Sequence, residues 1–198
     1  MDNIKLYNND CFDIFKNIPG KSIDLFILDL PYSSIEFGTT TACHWDTPFN
    51  LDKMWVEIKK IMKPTAVIVF FCNVKFGYCL INSNPKWFKY NLIWKKGNKS
   101  VGFLSANKRQ LRSHEEIYIF QKKGGTYNPQ KTKRDKDYKH SGKRSSEEIY
   151  SKILDCKKLY KKEDGKFPTS ILDFQPDTKT IHNTQKPILL LEYLIKTY

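Results

Sequence analysis

The stretch LFILDLPYSSI, residues 25–35, decides the fold. Residues 25–28 form an apolar run with little polar alternation, which predicts a strand covered on both faces within a parallel sheet. Asp29 follows at the point where such a strand reaches the surface. In open α/β sheets ligands bind at this carboxyl edge, so the sequence predicts a functional site at residues 29–32, DLPY.

Apolar periodicity along the rest of the chain alternates between strand-like and helix-like segments. Strands are predicted at 4–8, 23–28, 65–72, 87–96 and 115–123, and helices at 11–19, 51–62 and 75–84. Strands that alternate with helices favour an α/β fold with a mainly parallel central sheet. No internal repeat is evident.

The bulk composition excludes several classes of protein. A chain of 198 residues suits one domain with a modest insertion. The longest clear apolar run, AVIVFFC at 66–72, is too short to span a bilayer, and no basic segment followed by an apolar one stands at the start. The five cysteines are scattered without a C-x-x-C pair, which predicts neither disulfides nor a metal site. We expect a soluble protein of the cytoplasm, without a membrane partner.

Positive charge is concentrated in residues 122–166. The whole chain carries a formal charge of +13, and this segment holds 15 basic and 7 acidic residues, a balance of 15 − 7 = +8. Two interpretations stay open: a solvated insertion, or a surface that grips phosphates and stacks its tyrosines on bases. Lysine supplies 30 of the 34 basic residues, a skew that an AT-rich coding sequence would also produce.

The DLPY tetrapeptide carries groups that could hold the exocyclic amino group of a nucleobase. The carboxylate of Asp29 and the carbonyl of Leu30 can each accept one N–H bond. Pro31 stiffens the turn, and the ring of Tyr32 can stack on an extruded base. The competing interpretation is an ordinary turn in which Asp29 caps and Tyr32 is a surface aromatic.

Six elements, in order, resemble motifs of the permuted beta class of DNA amino-methyltransferases, which use S-adenosyl-L-methionine. They are NNDC (8–11), SIDLFILDLPY (22–32), LIWKKGN (92–98), SHEEIYIFQKK (113–123), FPTSILDF (167–174) and HNTQKP (182–187). The second and sixth correspond to the DPPY and TQKP motifs of this class, whose members methylate adenine N6 or cytosine N4. The resemblance implies an incomplete Rossmann-like methyltransferase fold with a basic insertion.

The same resemblance implies a division of the chain and two sets of site residues. Residues 1–121 would be the catalytic core, 122–166 the target-recognition region that contacts DNA, and 167–198 a return to the core. The catalytic loop would be Asp29, Leu30, Pro31 and Tyr32. The residues beside the cofactor would be Asp10, Cys11, Asp29, Thr184, Gln185 and Lys186. The Lys186 ammonium could pair with the methionine carboxylate, or it could simply cap the helix that Pro187 begins.

Two departures from the family pattern shape the expectations. Leu30 replaces the usual second proline, which spares the backbone carbonyl but loosens the turn. Residues 188–198 resemble the helix that precedes the glycine-rich cofactor loop, and this loop does not follow. We expect a split gene whose second chain supplies the missing strand and glycine-rich loop, a truncated remnant, or a piece of a longer protein. Each leaves an exposed sheet edge and an apolar terminal helix that need a partner, which could also be a second copy in a homo-oligomer.

The resemblance implies methylation of an exocyclic amino group in DNA. Adenine is preferred over cytosine because an acid at the first motif position is the commoner adenine-type choice in this family. The rival hypothesis is a catalytically inactive, nucleic-acid-binding remnant. A role in restriction-modification and a role as a stand-alone bacterial or phage methylase are equally compatible with the sequence.

Overall fold

The computed structural model describes residues 4–34, 36–38, 44, 46–139, 159–161, 164–182 and 184–198. Its helices are α1 (Cys11–Phe15), α2 (Leu51–Ile61), α3 (Val74–Ser83) and α4 (Ile188–Thr197). Its strands are β1 (Ile23–Leu28), β2 (Met62–Cys72), β3 (Phe88–Lys95), β4 (His114–Gln121), β5 (Tyr138–Lys139), β6 (Leu159–Tyr160) and β7 (Ile171–Asp173). The fold is mixed α/β, as predicted.

Two compact units emerge from the contacts within the chain. The first comprises Met1–Asn128 and Ser170–Tyr198, and the second comprises Pro129–Thr169. In the second unit β5 and β6 pair antiparallel, and Thr132 and Lys166 exchange backbone hydrogen bonds. Much of the basic segment predicted at 122–166, namely residues 140–158, 162 and 163, lies outside the described residues. The division at 121/122 and 166/167 stays a prediction.

The first unit is built on a five-stranded sheet in the order β1-β2-β4-β3-β7. β1 runs parallel to β2 and β7 runs parallel to β3, whereas β4 is antiparallel to both of its neighbours. Four strands therefore point the same way, which confirms the mainly parallel sheet. The chain turns directly back from β3 into β4 through residues 96–113, and no helix crosses the sheet there, so this pair has to be antiparallel.

The sheet buries both of its faces, and β2 shows this residue by residue. Ile68, Phe70 and Cys72 pack in a cluster with side chains of α2 and α3, which include Trp55, Ile58 and Phe76. The alternate residues Val67, Val69 and Phe71 pack with Ile117, Ile119, Leu190 and Leu194, so α4 covers the opposite face. A strand between two helical layers needs apolar side chains at every position, which is why β2 lacks polar alternation from Ala66 to Cys72. β1 lies at the end of the described sheet, and Phe26 is its one buried residue.

Several element predictions need correction. Residues 4–8 form no strand: Ile4 and Leu6 are almost fully exposed, and no described strand pairs with this alternating segment. Helix α1 ends at Phe15, short of the predicted residue 19. β7 was not predicted as a strand, since it is three residues long and only Leu172 of it is buried. A strand this short has too few residues to show a period.

Two further findings concern the described residues only. Within these ranges, no helix is both long and apolar enough to cross a membrane. The same part of the chain holds no group of three His, Cys, Asp or Glu side chains placed to bind a metal ion.

Candidate active site

β1 delivers the DLPY turn to the carboxyl edge of the sheet. Leu28, its last residue, pairs with the fully buried Phe70, which lies two residues before the carboxyl end of β2. The turn is tied down again just downstream, where the buried Ser33 donates its backbone N–H to Asp46 Oδ1 (3.1 Å) and its hydroxyl to the Asp46 carbonyl (2.9 Å). These bonds position residues 29–32 between two anchored points.

The DLPY turn lines a cavity of about 1250 Å³. The other walls come from the start of α3, from the β3–β4 connection and from residues 176–186. The predicted site residues that line it are Asp29, Leu30, Pro31, Tyr32, Thr184, Gln185 and Lys186. The structure therefore brings together all of the predicted catalytic loop and the TQK portion of the last motif.

Asp29 and Lys186 form a bidentate ion pair inside this cavity. The Lys186 Nζ donates to Asp29 Oδ1 at 2.8 Å and to Oδ2 at 2.7 Å. The Lys186 side chain is 8% exposed, whereas that of Asp29 is 41% exposed. A buried ammonium needs charged acceptors, so the pair holds Lys186 in place while Asp29 keeps one side open to the cavity. The sequence did not predict this pairing.

Glu115 extends the ion pair into a row of alternating charges. One oxygen of Glu115 accepts a hydrogen bond from Lys96, and the other lies 3.7 Å from the Lys186 Nζ. This second oxygen, Oε2, is buried and has no hydrogen-bond partner among the described residues. An unsatisfied carboxylate oxygen at a cavity wall is an available acceptor for a ligand. The signal in the sequence was an acidic pair, Glu115-Glu116, at the head of an apolar strand.

Tyr32 is held against the same carboxylate and against α3. Its hydroxyl donates to Asp29 Oδ1 (3.2 Å), and its ring is stacked on Phe76 with centroids 5.9 Å apart. Burial raises the pKa of the Tyr32 phenol well above its usual value, and the negative charges of Glu115 and Asp29 raise it further. The phenol therefore stays protonated and acts as a donor, not as a base.

The segment before α4 is organised by Asp177, a residue that the sequence analysis missed. Its Oδ2 accepts from the Gln185 side-chain amide (3.1 Å) and from the backbone N–H of Ile188 (3.2 Å). A carboxylate on the first free N–H groups of a helix stabilises that end of the helix. Asp177 therefore connects the start of α4 to the TQK residues. It lies 11 residues before Ile188, so no local sequence pattern predicts this contact.

Asp10 and Cys11 stand apart from the other predicted residues. Asp10 is the N-cap of α1 and accepts from the Phe12 backbone N–H at 2.7 Å. Neither residue is among those that line the cavity described above. Burial raises the pKa of the Cys11 thiol, and the neighbouring Asp10 carboxylate adds to this. The assignment of both residues to the cofactor stays a prediction.

Known proteins share both the fold and the sequence pattern. The type II methyltransferase M.HinfI of Haemophilus influenzae is 27% identical over an alignment 216 positions long, which spans 96% of this chain and 54% of that protein. The crystal structure of an M1.HpyAVI-SAM complex superimposes with a TM-score of 0.56 at 21% identity, over 97% of this chain and 76% of that one. The cytosine-N4-specific PvuII DNA methyltransferase gives a TM-score of 0.57 at 13% identity, over 96% and 68%.

A family model matches the chain as well. At 13% and 21% identity the two solved structures show a shared fold. The chain spans about half the length of the curated relative that it matches. The family model described as DNA methylase, N6_N4_Mtase, matches residues 23–198, a range that contains both the DLPY turn and Lys186. The chain therefore belongs to the N6_N4_Mtase family of DNA methylases.

Proposed function

We propose that this chain transfers a methyl group from S-adenosyl-L-methionine to an exocyclic amino group in DNA, with adenine N6 as the preferred target. The observation that carries the proposal is the placement of the DLPY turn and Lys186 in one cavity of about 1250 Å³ at the carboxyl edge of the sheet. A cavity of this size can accept both a nucleobase and a cofactor.

The DLPY turn supplies what an amino group on a base requires. The nitrogen lone pair is delocalised into the ring, so two acceptors must hold the N–H bonds and make the nitrogen more tetrahedral. Asp29 Oδ1 already accepts from Lys186 and Tyr32, whereas Oδ2 accepts from Lys186, the one donor to it among the described residues. A carboxylate oxygen has two lone pairs, so Oδ2 retains one for the amino group and the Leu30 carbonyl takes the second N–H.

The chain's own residues fit the proposed cofactor. The unsatisfied Glu115 Oε2 can accept from a hydroxyl or amino group, and the buried Lys186 ammonium can share its charge with a carboxylate. Thr184 and Gln185 would complete this wall. The cofactor supplies an electrophilic methyl group when bound. One solved relative of this fold is described as a complex with SAM, which supports the choice.

We also propose which base is methylated and which region of the chain contacts DNA. Asp29 at the first motif position favours adenine by family analogy, and the cytosine-N4-specific relative of the same fold keeps cytosine N4 as the alternative. Residues 122–166 carry a balance of +8, which suits contact with phosphates.

Transfer of isotope-labelled methyl groups to duplex DNA tests the proposal. The wild-type chain is compared with Asp29→Ala, and with Asp24→Asn as a control at an exposed acid near the start of β1. We expect transfer that Asp29→Ala abolishes and Asp24→Asn leaves intact. Nuclease digestion and mass spectrometry of the product then distinguish N6-methyladenine from N4-methylcytosine. DNA binding without cofactor binding or transfer would instead support the inactive remnant.

A further inference from the structure

The connection between β3 and β4 is a structured loop with a charged base and an apolar tip. Residues 96–113 contain five basic residues and no acidic one. Val101 and Arg112 exchange backbone hydrogen bonds of 2.9 and 3.1 Å, which close the loop across its middle. Beyond this bridge, Phe103–Ser105 form a turn of 3-10 helix that Gly102 opens with φ +92°, and the backbone of residues 102–109 bonds to itself.

Four of the five basic residues of this loop line the cavity. Lys99, Arg109 and Arg112 are exposed and line the cavity that contains Asp29 and Tyr32. Within the described residues, none of these three side chains forms an ion pair. The chain has only four arginines, and two of them are here, although lysine dominates elsewhere. Arginine binds phosphate through a planar fork of donors, which lysine cannot do.

The tip of the loop carries two exposed apolar side chains. Phe103 is 73% exposed and Leu104 is 96% exposed, and neither lines the cavity. Adjacent apolar side chains at the end of an internally bonded loop, flanked by cations, would be costly in water without a partner. Proteins that open DNA insert side chains of this kind between bases.

We propose that the 96–113 loop is a DNA-contacting surface in which Arg109 and Arg112 bind phosphates beside the cavity and the Phe103–Leu104 tip fills the gap left by an extruded base. The inference rests on the proposed function, since it assigns a role in holding that substrate. It is separate from the basic segment 122–166. The cations would hold the strand at the edge of the cavity while the tip keeps the base from returning to the stack.

The phosphate contacts are tested by the salt dependence of binding to a fluorescent 30-base-pair duplex. Arg109→Ala with Arg112→Ala should make the slope of log affinity against log salt shallower by about 1.8, at about 0.9 for each phosphate contact. The control, Lys86→Ala with Lys89→Ala, removes the same charge from the opposite end of β3. An equal change of slope in both double variants, or none in the arginine variant, would overturn the inference.

The apolar tip is tested with a duplex of the same sequence that contains one abasic site. The wild-type chain should bind the abasic duplex about tenfold more tightly than the intact one, because side chains can enter the gap without unstacking a base. Phe103→Ser with Leu104→Ser should remove this preference, whereas Val56→Ser, at an exposed apolar position on α2, should keep it. A preference that survives the tip variant would contradict the assignment.

Four further outcomes separate the inference from its alternatives. Tighter binding of an RNA hairpin than of the duplex, or self-association of the chain that the tip variant abolishes, would overturn it. Arginine-dependent duplex binding without methyl transfer would support the loop assignment and count against the proposed function. Methyl transfer by an arginine variant whose binding keeps the wild-type salt dependence would support the proposed function and overturn the loop assignment.

Discussion

The Lys186 Nζ lies 2.8 and 2.7 Å from the two carboxylate oxygens of Asp29, a residue 157 positions earlier in the chain. This contact joins the turn after the first strand to the segment before the last helix. It also gives Lys186 a charged partner within the chain itself. Its role toward a cofactor therefore has to be compatible with its role in orienting Asp29.

If the two residues act as one unit, their substitutions will not be additive. We expect Asp29→Asn to lower the rate of methyl transfer by about 10²- to 10³-fold, as for loss of a group that polarises the reacting atoms. Lys186→Gln should lower it about tenfold, and the double variant should be no slower than Asp29→Asn alone. Single-turnover rates measure this cycle.

A second ion pair, far from Asp29 at the start of β1, provides the control for that cycle. Asp24 on β1 and Lys63 on β2 are paired at 2.6 Å, and their side chains are 70% and 41% exposed. Lys63→Gln and Asp24→Asn should leave the rate unchanged, singly or together. Multiplicative losses at Asp29 and Lys186 would show that the two residues act independently.

Tyr32 should act through its ring and only weakly through its hydroxyl. Tyr32→Phe removes the 3.2 Å bond to Asp29 and keeps the stacking on Phe76, so we expect a loss of about twofold to tenfold. Tyr32→Ala removes the ring and should cost about 10² or more. Steady-state kinetics with kcat and KM separated provide the measurement.

The raised pKa of Tyr32 also predicts how the rate of methyl transfer depends on pH. Burial favours the neutral phenol, so this group stays protonated at and above its ordinary pKa of 10.0. The rate profiles of wild type and Tyr32→Phe should therefore have the same shape from pH 6 to pH 10, within the range where the protein is folded. An alkaline limb that the phenylalanine variant lacks would contradict this.

Asp177 should stabilise α4 and the residues before it. Asp177→Ala removes the acceptor of the Ile188 N–H and of the Gln185 amide. We therefore expect the free energy of unfolding to fall by about 1 kcal/mol. Asp173→Ala, which breaks a half-exposed pair with Lys95, should change stability by less than about 0.5 kcal/mol. Denaturant unfolding compares them, and Asp177→Asn should be the milder change at that position.

Gly77 on α3 is a packing position that permits no side chain. A Cβ there would lie 2.7 Å from two ring atoms of Tyr118, so Gly77→Ala should destabilise the protein by about 1–3 kcal/mol despite the better helix propensity of alanine. Gly124→Ala meets nothing within 4 Å and should be neutral within about 0.5 kcal/mol. Equal thermal midpoints for the two variants would show that the Tyr118 ring moves aside freely.

The sequence determined the elements that depend on local pattern. The apolar run at 23–28, the buried strand that ends at Cys72 and the amphipathic helix α2 all form as predicted, because period and capping are local properties. Periodicity alone also predicted a strand at 4–8, but a strand needs a neighbour, and no described residues pair there. The antiparallel direction of β4 depended on how residues 96–113 close, which no period reports.

For the site, the sequence by itself determined which residues stand where a strand meets the surface, since DLPY follows an apolar run that has to be buried. Only the tertiary structure decided what surrounds that turn. The Lys186 ammonium, the unsatisfied oxygen of Glu115 and the capping carboxylate of Asp177 arrive from distant parts of the chain. The electrostatic interaction between two charges depends on their distance in the folded chain. The number of residues between them in the sequence does not report that distance.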